Sequence, residues 1–214
     1  TAVVTVQVGG VRSTDDRLEG NSSNNIITDS SAFNDSFYLQ QGGDDQANGD
    51  GGNDGFYFGA ALTGADGVDG GTGTDSVAIQ GNYGALVLGN IVNVENLVIL
   101  PGSNASFGDV AGNFYDYDVT TIDGNVAAGG ILTVIAADLR IGEDLVFDGS
   151  AESDGAFRIF AGRGNDDLAG GAGSDGFFFG QQANLNALDR VDGNGGIDSL
   201  ALRGNYSGAT AIVF

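Results

Sequence analysis

The sequence predicts an all-β chain wound as a right-handed parallel β-solenoid of the β-roll or β-helix type, and three observations lead there. Residues 161–178 form two tandem nine-residue units, AGRGNDDLA and GGAGSDGFF, each with an aspartate sixth and a large apolar residue eighth. The chain also repeats on a longer scale: GNDGFYFG (52–59) returns as GSDGFFFG (173–180), and GVDGGTGTDSVAIQGNY (67–83) returns as RVDGNGGIDSLALRGNY (190–206). Asp175 minus Asp54 is 121 and Tyr206 minus Tyr83 is 123, so the second copy carries a two-residue insertion. No stretch of useful length has a helical period; short β-branched or aromatic runs split by Gly, Asn or Asp fill the remainder. In a solenoid each such unit buries its apolar face only by stacking on its neighbours.

In chain order, residues 1–31 read as an N-terminal strand and a polar loop. Val4, Val6 and Val8 alternate with Thr5 and Gln7, the pattern of a half-buried strand. The stretch 10–31 contains NSSNN and is expected to hold one short strand, Ile26–Thr28. Residues 32–83 form a first repeat block. Asp35, Asp45 and Asp54 are each followed two places later by Phe37, Ala47 and Phe56, and GDGGNDGFY (49–57) and GGTGTDSVA (70–78) are its best units. Residues 84–160 are more aliphatic, with runs such as ALVLGNIVNVENLVIL and GILTVIAADLRIG, and read as further rungs without the glycine-rich turns. Residues 161–214 form a second, truncated block, the whole making one continuous solenoid. The triplets Phe56, Tyr57, Phe58 and Phe177, Phe178, Phe179 are expected to alternate in and out of the coil.

The residue types of the units point to a hard cation. Glycines let the backbone turn at positive φ with carbonyl oxygens exposed, and the aspartate adds a negative oxygen ligand, which suits Ca²⁺. The aspartates also recur at the spacing of stacked rungs: Asp54 minus Asp35 is 19, Asp75 minus Asp54 is 21 and Asp66 minus Asp45 is 21. Later, Asp166 minus Asp148 is 18, Asp189 minus Asp166 is 23 and Asp198 minus Asp175 is 23. Two columns of carboxylates on opposite edges are expected. Asn53 and Asn165, just before the key aspartates, are expected to build the turns.

Charge narrows the function classes. Asp and Glu number 29 against 7 Lys and Arg, a net charge of −22, and all the bases are arginines. No basic face exists to neutralise phosphates, so nucleic acid is not an expected partner. Self-repulsion among turn carboxylates favours a chain that is loose without metal and folded with it. There is no His and no Cys, which removes imidazole triads, thiol nucleophiles, disulfides and His- or thiolate-bound zinc. A glycosidase carboxylate pair is chemically conceivable, but the aspartates fall in turns that metal binding explains, so the chain is not expected to be an enzyme. No 18-residue apolar run predicts a transmembrane segment, and residues 1–9 carry no positive n-region of a signal peptide.

At units 161–178 and 70–78 and, with substitutions, 49–57 and 193–201, the chain resembles the RTX (repeats-in-toxin) family of secreted bacterial calcium-binding proteins. The resemblance implies a calcium-binding β-roll that is exported unfolded through a type I secretion channel and folds in millimolar calcium outside the cell. It implies carboxylate ligation by Asp45, Asp54, Asp75, Asp166, Asp175 and Asp198 and carbonyl ligation by Gly162, Gly164, Gly171 and Gly173. Asp69 and Asp192, which recur in both copies, are candidates to complete sites. The expected role is an extracellular calcium-binding structural protein of a bacterial surface layer, filament or matrix. The alternative is the calcium-folding or adhesion module of a larger secreted protein, an adhesin or a polysaccharide-active enzyme. Expected partners are calcium ions, a cell-surface polysaccharide, and further copies stacked head to tail. The last expectation comes from the uncapped strands 2–8 and 209–214.

Overall fold

The structure is a computed structural model, and it describes residues 4–8, 15–30, 32–108, 112–180 and 185–206. The first strands are β1 (Val4–Val8), β2 (Arg17–Glu19), β3 (Asn25–Asp29), β4 (Ser36–Tyr38) and β5 (Gln46–Asn48). Next come β6 (Gly55–Gly59), β7 (Gly67–Asp69), β8 (Ser76–Ile79), β9 (Tyr83–Val87) and β10 (Asn90–Val92). The aliphatic segment carries β11 (Asn96–Ile99), β12 (Tyr117–Thr120), a single 3-10 turn (Asp123–Asn125), β13 (Ile131–Ile135), β14 (Leu145–Asp148) and β15 (Ala156–Ala161). The last are β16 (Asp167–Ala169), β17 (Gly176–Phe179), β18 (Arg190–Asp192) and β19 (Ser199–Leu202).

These strands form a parallel β-solenoid. A nine-stranded sheet runs β2-β4-β6-β8-β11-β13-β15-β17-β19. Two five-stranded sheets take the intervening strands, β1-β3-β5-β7-β10 and then β9-β12-β14-β16-β18. Every pairing is parallel. The eighth residue of each unit points inward, as expected. Leu18, Phe37, Phe56, Val77, Leu97, Val134, Ile159 and Phe177 stand in register down the nine-stranded sheet, all buried. Ile27, Ala47, Val68 and Ile91 line one facing sheet, and Leu86, Val119, Phe147 and Leu168 the other. Side chains one rung apart therefore stack on side chains of the same kind, which gives one continuous apolar core.

The long repeat is a structural repeat. The Tyr83 hydroxyl accepts the Leu62 N–H at 3.2 Å, and the Tyr206 hydroxyl accepts the Leu185 N–H at 3.3 Å, equivalent residues of the two copies. Between the copies, β9 and β10 lie in one turn of the coil, where the facing layer changes from the first five-stranded sheet to the second. Asn125 holds this changeover from inside: its Nδ2 donates to the carbonyls of Leu88 at 2.6 Å and Ile91 at 2.8 Å, and its Oδ1 accepts the Ile122 N–H at 2.7 Å.

Two expectations change and two hold with an addition. The polar stretch 10–31 holds two strands, β2 and β3, not one; Leu18 and Ile27 supply the inward residue each rung needs. The N-terminal strand has a partner: β1 pairs with β3, Val6 opposite Ile27, while strand 209–214 lies outside the described residues. Phe56, Tyr57 and Phe58 are all buried, because the outward Tyr57 ring is covered by Phe107, stacked 3.9 Å away from a later loop. The second triplet alternates as the first does, but with Phe178 only half-buried, outward and stacked on Phe160 at 4.8 Å. Finally, Asp148 does not stack under Asp166. It pairs with Ala169 and turns its Oδ1 onto the Ser150 N–H at 3.0 Å, because β14 ends there.

Candidate metal-binding corners

The corner ahead of each strand is built by one aspartate that reaches back one rung. On the edge leading into the nine-stranded sheet, Oδ1 of Asp35, Asp54 and Asp75 accepts the N–H of Asp16, Asp35 and Asp54 in turn, each at 2.7 Å. Glu95 Oε2 continues the column by accepting the Asp75 N–H at 2.7 Å. The residue before each aspartate reaches the other way: Asn34 Oδ1 accepts from Asn53 N at 2.7 Å and Asn53 Oδ1 from Thr74 N at 2.8 Å. Asn53 thus ties rungs together, beyond the turn-building expected of it. Asn165 donates its N–H to Asp144 Oδ1 at 2.7 Å in the later half.

The opposite edge repeats the scheme, with Asp45 Oδ1 on Asn25 N at 2.8 Å and Asp66 Oδ1 on Asp45 N at 2.7 Å. In the second copy Asp166 caps Leu145 N at 3.0 Å, Asp189 caps Asp166 N at 2.8 Å, Asp175 caps Phe157 N at 2.6 Å and Asp198 caps Asp175 N at 2.9 Å. All six sixth-position aspartates named from the sequence therefore stand in inter-rung columns, five of them buried and Asp198 exposed. A carboxylate that accepts a buried backbone N–H also satisfies a corner amide left over from the sheet ladders.

Only one oxygen of each carboxylate is used this way. Oδ2 of Asp54, Asp75 and Asp166 is buried with no hydrogen-bond partner. Around Asp54 and Asp75 its surroundings explain why the unit opens with glycine, whereas the unit of Asp166 opens with Ala161. A Cβ on Gly49 would stand 2.2 Å from Asp54 Oδ2 and 2.8 Å from the Gly70 carbonyl oxygen. At Gly70 the crowding atoms are the Asn93 carbonyl oxygen at 2.0 Å and Asp75 Oδ2 at 2.8 Å; at Gly170 they are Asp175 Oδ2 at 2.3 Å, here accepting the Gly171 N–H at 2.8 Å, and the Gly193 carbonyl oxygen at 3.0 Å. The leading glycine thus leaves a cradle lined by a carboxylate oxygen and a carbonyl oxygen of the next rung. An oxygen-only lining with an orphaned carboxylate oxygen fits a hard cation.

Electrostatics agree with that fit. Burial pushes the Asp54 and Asp166 carboxyls up to about 7 and that of Asp45 up to about 6, against the backbone bonds they accept. The next carboxylate in each column, Asp75, Asp189 and Asp66 respectively, pushes the same way. Burial likewise raises Asp75, Asp175 and Asp189 above the ordinary carboxylate range. Without a cation, these corners favour bound protons.

The carbonyl candidates also take part in the coil's own contacts. The Gly164 oxygen accepts Asn186 Nδ2 at 2.8 Å and the Gly171 oxygen accepts Gly195 N at 3.0 Å. Gly162 packs on Leu139, and a Cβ on Gly173 would stand 2.0 Å from the Gly155 carbonyl oxygen, so both serve close rung approach. Asp69 and Asp192 sit at strand ends and build turns, their Oδ1 atoms accepting Gly71 N at 3.1 Å and Asn194 N at 3.0 Å. Sequence reasoning left Asp16, Asp29 and Asp35 out of the ligand set, yet carboxylate oxygens from the three lie within 4.8 Å of one another. The first-position glycines Gly49, Gly70 and Gly170 are also outside that set, although their place at the head of three of the units is the available signal.

No family model matches the chain, and no curated protein or solved structure matches it either. The likeness to RTX proteins therefore rests on the nonapeptides themselves.

Proposed function

We propose that this chain is an extracellular calcium-binding structural protein whose fold is completed by calcium, working in a bacterial surface layer, filament or matrix. The observation that carries the reading is the orphaned, buried Oδ2 of Asp54 and Asp75 beside a carbonyl of the next rung, with the Oδ2 of Asp166 buried and orphaned as well. Buried carboxylates need a cation or a proton, and the chain offers only seven bases to 29 acids. Among the described residues two arginines are ion-paired, Arg17 with Glu19 and Arg140 with Glu143, and neither partner belongs to the columns of Asp54, Asp45 or Asp166.

Asp45, Asp54, Asp75, Asp166, Asp175 and Asp198 are the carboxylates that would hold the ions. Bound calcium supplies the positive charge that the columns lack. The chain's own part is to stack the carboxylates through their Oδ1 atoms and keep the Oδ2 atoms of Asp54, Asp75 and Asp166 out of water. In low calcium the like charges oppose stacking; in the millimolar range outside cells, the affinity regime of extracellular calcium modules, stacking proceeds. Export of the loose form, secretion and a surface location follow from the RTX likeness as parts of the same proposal. Among the described residues no helix is long and apolar enough to cross a membrane.

The test is circular dichroism in chelator and then in millimolar calcium at neutral pH. The expected result is a change from coil to β. An unchanged spectrum sinks the reading.

A further inference from the structure

We propose that Asp123, Glu152 and Asp154 form a second kind of cation site, outside the nonapeptide turns, that takes a hard divalent cation of calcium type. It lies in the aliphatic segment, outside the units 49–57, 70–78, 161–178 and 193–201 that carry the nonapeptide reading, and it does not rest on that reading. Carboxylate oxygens from the three residues lie within 4.8 Å of one another. Such a cluster alone says little, since acids gather on many surfaces.

The deciding observation is Glu152. It is 1 % exposed. Its Oε1 accepts the N–H of Asp154 at 3.1 Å and of Gly155 at 2.7 Å, while Oε2 is buried with no hydrogen-bond partner. The fold contains a direct comparison in Glu143, which is 0 % exposed. Burial pushes Glu143 up, but Arg140 donates its N–H and Nε to Oε2 at 2.8 and 3.0 Å and its Nη2 to Oε1 at 2.9 Å, and Gly102 N adds 2.7 Å to Oε1. The net effect holds that carboxyl below its ordinary range. A buried glutamate in this protein is thus matched by a cation on both oxygens. Glu152 is equally buried, has no arginine paired to it among the described residues, and has two further carboxylates beside it instead. Three converging carboxylates, the middle one buried, repel one another unless a cation sits among them.

The surroundings suit an ion. Asp123 is held by Ser153, whose N–H and Oγ donate to its Oδ1 at 2.9 and 2.6 Å. Asp123 and Asp154 are exposed, which leaves a route from solvent to the buried Glu152. Asp123 follows β12 and the pair Glu152–Asp154 follows β14, and β12 pairs with β14. A cation there clasps two successive rungs, two residues from the Asn125 that holds the sheet changeover. It supplies the link that the aspartate columns provide elsewhere.

The test counts ions on the full chain by equilibrium dialysis against calcium, with circular dichroism as the fold control. Glu152→Gln keeps the Oε1 acceptor and removes the charge; Asp123→Asn does the same at an exposed position. Each is expected to bind one calcium ion fewer than the parent chain, and the double variant also one fewer, because both residues serve one ion. If E152Q does not fold, D123N and D154N carry the count. Unchanged stoichiometry in the folded variants overturns the site. The two calcium readings separate cleanly. If the parent binds a single ion that E152Q removes, this site stands and the nonapeptide reading fails. If D54N lowers the count and E152Q and D123N do not, the reverse holds, and a chain that binds no calcium sinks both.

Discussion

Asp75 shows how one side chain carries two opposed demands. Its Oδ1 accepts the Asp54 N–H at 2.7 Å, which satisfies a corner amide, while its Oδ2 sits buried over Gly70 without a hydrogen-bond partner. The first oxygen stabilises the metal-free fold and the second destabilises it, so two substitutions separate them. Asp75→Ala removes the acceptor of a buried N–H and should cost ~1–3 kcal/mol in chelator. Asp75→Asn keeps an oxygen for Asp54 N and replaces the charged oxygen by an amide next to the Asn93 carbonyl, so in chelator it should be at least as stable as the parent. In millimolar calcium both variants should gain less than the parent does. Urea unfolding in the two buffers reads all of these, and equal calcium gains in parent and variants would show that this carboxylate serves the corner alone.

At the scale of elements, what was legible followed the period. Asp35, Asp54, Phe37 and Phe56 hold the same offsets along the chain and the same places in successive rungs, because a solenoid converts sequence period directly into register. Contacts that join unlike segments had no such signature. Asn125 reaches back 34 and 37 residues to two carbonyls, and Phe107 comes from a loop to cover Tyr57; neither belongs to a repeated unit. The orphaned glutamate at 152 was hidden for the same reason, since its partner Asp123 lies one long rung away. The cradle at Gly49 and Gly70 was half visible: the leading glycine was in the motif, but the atoms that require it belong to the next rung. Asn125 gives the element-scale prediction. Asn125→Ala strips partners from three backbone groups, the buried carbonyls of Leu88 and Ile91 and the N–H of the exposed Ile122, and should cost about 3 kcal/mol. Hydrogen exchange should then show lost protection around β9 and β10 ahead of the nonapeptide corners. Uniform loss along the whole coil would mean that the changeover is no weaker than the rest.

Over the whole molecule the same carboxylates make stability depend on pH, with a sign opposite to that of ordinary acid denaturation. In the folded chain Asp54 and Asp166 are pushed up to about 7 and Asp45 up to about 6, whereas the unfolded chain ionises near the ordinary 3.8. Between about 4 and 7 the folded state therefore holds protons that the unfolded state has released. Stability must fall with rising pH wherever the folded state binds more protons. The contribution of these groups is complete below about 4 and is lost as pH climbs through 6 and 7. Buried columns of stacked acids amplify this, because each ionised aspartate also raises its neighbour: Asp75 acts on Asp54, and Asp189 on Asp166. In chelator the thermal midpoint is thus expected to be higher at pH 5 than at pH 8, although the chain's net charge of −22 at pH 7 already favours neutralisation in general. The column-specific part is isolated by Asp54→Asn and Asp166→Asn together, which should flatten the slope between pH 5 and 8 in chelator. Calcium should reverse the parent's slope over the same range, since ion and proton compete for the same oxygens and the ion wins as pH rises. Thermal melts at pH 5, 6, 7 and 8, with chelator and with millimolar calcium, test both signs. A midpoint in chelator that rises with pH would mean that these corners hold ionised carboxylates without help, and the case for cations in the columns would go with it.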